Sequence, residues 1–212
     1  MSSLTFDLNL FLQESKNTLL NPKRYFSSMK IFGGLADPLI KAMAYGILTG
    51  LIYLICWFFR IKSFGAGYVG DAVGFLAFIK IIIMTAISSA IGALLLVLIS
   101  TSCRGNSDYE PNLRVTASLL AVMPVYAIFS ILWELNVYLG IIISFIISLY
   151  FIWILYFGLV AALKCKQKNV SFVLYGLAVI IVLLLLLQLR SDGKQENIKS
   201  EATKSSKELK KN

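Results

Sequence analysis

Lys80 and Pro124 are the residues whose types are most at odds with their surroundings. Each interrupts a long apolar run, Lys80 within FIKIII and Pro124 within VMPVY. An ammonium at membrane depth is costly, so it either snorkels to the headgroups or turns into a bundle towards a polar partner. Asp71 is the candidate partner. Proline removes an intrahelical hydrogen bond and kinks the helix, and a backbone opened in this way can line a pathway. Beyond these two positions the chain is poor in chemistry. It contains no histidine, the usual general base and the commonest metal ligand. Asp37, Asp71, Asp108, Glu110 and Glu134 fall in loops or at the ends of apolar runs, so no run carries paired carboxylates. No serine stands in a Gly-x-Ser-x-Gly setting. Gly65, Gly67 and Gly70 precede no Lys-Ser or Lys-Thr pair that would cradle a phosphate. Cys56, Cys103 and Cys165 have no metal-type spacing and read as reduced structural thiols. The expectation is a protein without catalytic residues, metal or cofactor.

The elements that must position these residues are apolar and long. Pro38–Phe59, Gly74–Ile99, Val115–Trp133, Val137–Leu163 and Val170–Leu189 each approach or exceed the ~20 residues that cross a bilayer as helix. Barrel strands would alternate in polarity, and these runs do not. A hydrophobic share of 58% and a mean hydropathy of +0.79 agree. The fold class expected is all-α: a polytopic five-helix transmembrane bundle preceded by an amphipathic helix at the membrane interface. The division expected is an N-terminal arm over 1–37, a membrane domain over 38–189 and a disordered basic tail over 190–212. The first residues lack a basic start and a continuous apolar stretch, so no cleavable signal is expected.

The arm carries a mildly amphipathic segment (Leu4, Leu8, Phe11, Leu12, Leu19) and then NPKRYFSSMKIF. Asn21 and Pro22 suit a helix start. Tyr25, Phe26, Met29 and Phe32 then fall on one helical face, with Lys23, Arg24 and Lys30 on the others. Such a helix suits the membrane interface or a docking partner. In the first run Ala42, Gly46 and Gly50 recur at four-residue intervals, a small stripe that lets helix backbones approach closely. Packing within one chain is the expected use, dimerisation the alternative. Gly158 is a further candidate packing position.

The net charge of +9 lies outside the runs, which suits anionic headgroups and argues against nucleic acid as partner. With the N-terminus inside, Lys16, Lys23, Arg24, Lys30 and Lys41 share a side with Arg104, Arg114, Lys164, Lys166 and Lys168. That favours a cytoplasmic N-terminus. The lysine-rich tail then falls outside and argues the other way.

Three stretches together resemble the Yip family (Ypt/Rab-interacting-protein domain), in its short prokaryotic form. They are NPKRYFSSMKIFGGLADPLIKAMAYGILTGLI, then NLRVTASLLAVMPVYAIFSIL with Thr116 and Pro124, and then SLYFIWILYFGLVAALKCKQKNVSFVLYGLAVIIVLLL with Gly158-Leu159. Leu120 stands where the family pattern has an aromatic. The resemblance covers residues 21–189 and implies a five-span bundle with a cytoplasmic N-terminus. It implies a non-enzymatic protein of membrane trafficking and organisation that works through protein partners. The function expected is therefore a scaffold or assembly factor in a bacterial inner membrane, contacting lipids and other membrane proteins, with a homo-oligomer as one arrangement. Transport of a lipid or small solute along the bundle is the alternative, with Lys80 and Pro124 on its path.

Overall fold

The computed structural model describes residues 7–59 and 74–184. Asp71, the end of the fifth run and the tail expected to be disordered lie outside them. The chain divides into two compact units between Leu174 and Tyr175. The first holds everything up to the opening turns of the last helix. The second holds, among the described residues, the outer part of that helix.

α1 (Leu8–Leu20) begins at Asp7, whose Oδ1 accepts from the backbone N–H of Asn9 at 2.9 Å and of Leu10 at 3.1 Å. The side chain satisfies donors that a helix start leaves open. α2 (Pro22–Ser28) opens with proline in its first turn, where the missing N–H costs nothing. It ends sooner than the aromatic spacing suggests. The Ser27 and Ser28 hydroxyls donate back to the Lys23 and Arg24 carbonyls, Met29 is extended, and Gly33 and Gly34 have φ of 146° and 101°. Serines that bond their own backbone, followed by a glycine pair, compete with helix continuation. The expected single face from Tyr25 to Phe32 is therefore corrected: Met29 and Phe32 follow the helix.

Among the described residues five helices are long and apolar enough to cross a membrane. α3 (Ala36–Phe58) and α4 (Phe75–Ser102) are the first two, of 23 and 28 residues. At ~1.5 Å per residue both exceed the ~30 Å hydrocarbon core. The third span, Tyr109–Phe129, consists of α5 (Tyr109–Leu119) and α6 (Val122–Phe129). Its helix starts six residues before the apolar run, which began at Val115, because Tyr109–Arg114 is drawn into the interior. Pro111, Asn112 and Leu113 are buried there, and the Asn112 amide donates to the Asp108 and Asn106 carbonyls at 2.7 and 3.0 Å. The short α7 (Leu132–Leu135) leads into α8 (Val137–Phe157). Gly158–Ala162 then widens into one π-helical turn. α9 is the fifth long helix, Gln167–Leu184.

The third span is the core. Inside the protein lies 56% of its apolar window, against 33% or less for the others. The outward faces of the rest carry exposed Leu94, Leu95, Leu98, Ile142 and Ile146. Lipid is as apolar as these side chains, so their exposure there costs little and close backbone packing must hold the helices together. Gly46 shows how. A Cβ at this position would lie 3.1 Å from the Ile82 Cα, and one at Gly50 would lie 2.8 Å from the Phe78 ring. With Ala42 fully buried, the stripe seats α3 on α4 within one chain.

The arm, the α4–α5 connection and the π-turn with its following loop lie at one end of these spans. α2 packs on the π-turn. A Cβ on Gly158 would meet Val115 at 2.8 Å and Phe26 at 3.7 Å.

Candidate functional site

Two polar clusters hold the arm to the spans. In the first, Lys41 Nζ, in the second turn of α3, pairs with Glu14 Oε2 of α1 at 2.7 Å. It also donates to the Tyr25 hydroxyl at 2.7 Å and reaches Ser118 Oγ of α5 at 3.3 Å. Tyr25 and Ser118 join at 2.9 Å. One ammonium thus connects α1, α2, α3 and α5. Its side chain is 13% exposed and that of Glu14 37%, so the pair is partly desolvated. Beside it Tyr45 bonds Ser15 at 2.8 Å and packs its ring on Phe11. The Tyr150 hydroxyl of α8 donates to the carbonyl of Leu19 at the end of α1.

In the second cluster Glu110 Oε1 accepts from the backbone N–H of both Gly33 and Gly34, each at 2.6 Å, and from Arg114 Nε at 3.2 Å. Arg114 also donates to the Gly34 carbonyl at 2.9 Å and reaches Asp37 at 3.3 Å. The positive φ of both glycines aims successive N–H groups at one carboxylate, a backbone nest for an anion. The link between α2 and α3 is thereby tied to the third span.

A third cluster joins two loops. The Asn106 N–H donates to the Leu163 carbonyl at 2.8 Å, and the Lys166 N–H to the Cys103 carbonyl at 3.1 Å. Gly105 lies so close that a Cβ there would fall 2.2 Å from Cys165 Sγ. Cys103 and Cys165 are both buried, and burial raises both thiols above the ordinary range. Thiols held protonated in this way are poor nucleophiles. Arg104 and Lys164, next to them, have φ of 59° and 57°. A left-handed backbone costs a side-chain-bearing residue about 1–2 kcal/mol.

These clusters redistribute the residues picked from the sequence. Tyr25 (8% exposed) and Phe26 (1%) face the protein interior, which corrects their expected place at the membrane interface. The reason is that Lys41 and Ser118 satisfy the tyrosine hydroxyl inside the protein. Met29 is half-buried against Ser118, whereas Lys23, Arg24, Lys30 and Phe32 are exposed. Lys80 is half-buried in the second turn of α4. At Pro124 the span breaks at Leu120–Ala121. The Leu120 carbonyl that proline cannot serve accepts instead from the Met123 N–H at 2.9 Å. The kink is closed by its own backbone and leaves that carbonyl bonded. Glu14, Tyr45, Ser118, Glu110 and Arg114 were missed as a set. Only Glu110 and Arg114 carried a local signal, as an i,i+4 pair.

An arm bonded to α3, α5 and α8, within a set of five long apolar helices among the described residues, defines a multi-pass α-helical membrane protein. The chain matches the family model of the Yip1 domain over residues 16–189 and belongs to that family. The match begins within α1 and so takes in the arm. Yip1-family proteins are trafficking-related membrane proteins, generally non-enzymatic. No curated protein and no solved structure matches the chain.

Proposed function

We propose that this protein is a scaffold or assembly and trafficking factor that works through protein and lipid contacts of its N-terminal arm. The observation that carries this reading is the division of the arm into a bonded and a free face. Glu14, Tyr25 and Phe26 hold it to the spans, while Lys23, Arg24, Lys30 and Phe32 are left exposed. A docking surface needs such a rigid backing, because ordering a loose arm on binding would subtract from affinity. The same end carries the exposed cations Arg104, Lys164, Lys166 and Lys168. The positive-inside rule then puts the arm in the cytoplasm, and a bacterial inner membrane is the setting we favour.

The test is in-cell crosslinking followed by native mass spectrometry in mild detergent. The variant is Lys23→Glu, Arg24→Glu, Phe32→Ser, which changes only exposed side chains. A stoichiometric protein partner held by the wild type and lost by the variant supports the proposal. A chain that retains one lipid class and no protein in either form would sink it and favour lipid handling.

A further inference from the structure

Arg104 and Lys164 are, among the described residues, the side-chain-bearing positions with positive φ. They follow the C-terminal ends of the second and fourth spans, where glycine is the usual occupant of a left-handed position. Both are cations, and both are exposed. Their loops are hydrogen-bonded to each other through Asn106–Leu163 and Lys166–Cys103. Gly105 leaves no room for a side chain between the loops. Lys166 and Lys168 add two more exposed cations, and the described residues contain no ion pair to any of the four. Backbone strain retained at paired cationic positions is the kind of feature that marks a site.

We propose that Arg104, Lys164, Lys166 and Lys168 form a preorganised site for the phosphate headgroup of an anionic phospholipid. A lipid is favoured over an acidic protein segment because of what adjoins the cations. In the second and third turns before Arg104 the outward face of α4 is apolar (Leu98, 65% exposed; Leu95, 56%), with exposed Thr101 and Ser102 between, and one turn beyond Lys168 stands Phe172 (81%). An apolar flank, a short hydroxyl-bearing step and a phosphate-seeking rim fit one lipid molecule in that order, acyl chains below and headgroup above. An exposed phenyl ring just below the cations is a partner for the acyl chains. The site uses none of the arm residues, so it stands or falls independently of the arm's partner.

The test is thermal unfolding of the full-length protein in uncharged detergent, titrated with short-chain phosphatidylglycerol or with phosphatidylcholine of the same chains. Inorganic phosphate and poly-glutamate form separate arms. Phosphatidylglycerol should raise the wild-type melting temperature, and the other three should not. Arg104→Gly with Lys164→Gly removes two charges and relieves the strain, so its lipid-free melting temperature should equal or exceed the wild type's. Its affinity for phosphatidylglycerol should fall about 25-fold, about fivefold per cation near an anionic headgroup. Lys166→Gln with Lys168→Gln, at exposed positions of ordinary backbone, should weaken binding by a similar factor. Unchanged affinity in both variants overturns the proposal. So does an equal shift with phosphatidylcholine, inorganic phosphate or poly-glutamate.

Discussion

Lys41 is a residue whose role depends on what faces it. In a sequence it is one more lysine near the start of a span. In the structure it meets Glu14, Tyr25 and Ser118 from three other helices. Removing one partner of a buried pair costs about 3–5 kcal/mol, and exposed pairs are worth under about 1 kcal/mol. With Glu14 more than a third exposed, Lys41→Met should cost about 1–3 kcal/mol, between those limits. The check is thermal melting in detergent with limited proteolysis of the arm. Glu14→Gln, which keeps an acceptor oxygen opposite the ammonium, should cost less. Equal protease resistance in wild type and Lys41→Met would mean that other contacts hold the arm.

Between α3 and α4 the governing quantity is backbone separation. The Gly46 Cβ position lies 3.1 Å from both the Ile82 Cα and the Thr85 Cβ, and a backbone atom cannot rotate away. Overpacking of a tight contact costs about 1–3 kcal/mol. Gly46→Ala should therefore lower the melting temperature clearly, and Gly46→Leu should prevent a stable fold. At Gly50 the obstacle is the Phe78 ring, which can turn, so Gly50→Ala should be the milder of the two alanine variants. Equal melting of both alanine variants with the wild type would show that the two helices can separate freely. The third span obeys a different rule. Its break at Leu120–Ala121 is compensated by tight turns, which is why a proline can stand in the central helix without leaving the Leu120 carbonyl unbonded.

For the membrane part as a whole, the consequence is topological. The arm and the loops around Cys103 and Cys165 share one end of the spans, and the Leu132–Asn136 connection is the turn between the third and fourth spans. Cysteines introduced at Lys30 and Lys164 should react with a membrane-impermeant maleimide from the same side of sealed vesicles. One introduced at Asn136, exposed in that turn, should react from the other. The background has Cys56, Cys103 and Cys165 replaced. Labelling of all three from one side would refute a third helix that crosses the membrane.

The residues alone determined that the chain is all-α and membrane-spanning, because five continuous apolar runs leave lipid as their compatible solvent. They also determined its family, through the arm, the proline-broken span and the Gly158-Leu159 stretch. Span ends were legible to within a few residues where polarity changes abruptly. They were not legible at Tyr109–Arg114, where a polar segment is helical with the Asn112 amide N–H groups bonded to the Asn106 and Asp108 carbonyls. Only the tertiary structure decided where the polar groups meet. Glu14 and Lys41 stand 27 positions apart, and Tyr25 and Ser118 stand 93 apart. No periodicity encodes such pairs, since hydrophobic spacing states which face of a helix is buried and not what that face will touch. For the same reason the aromatic stretch of α2 pointed to lipid in the sequence and packs on protein in the fold.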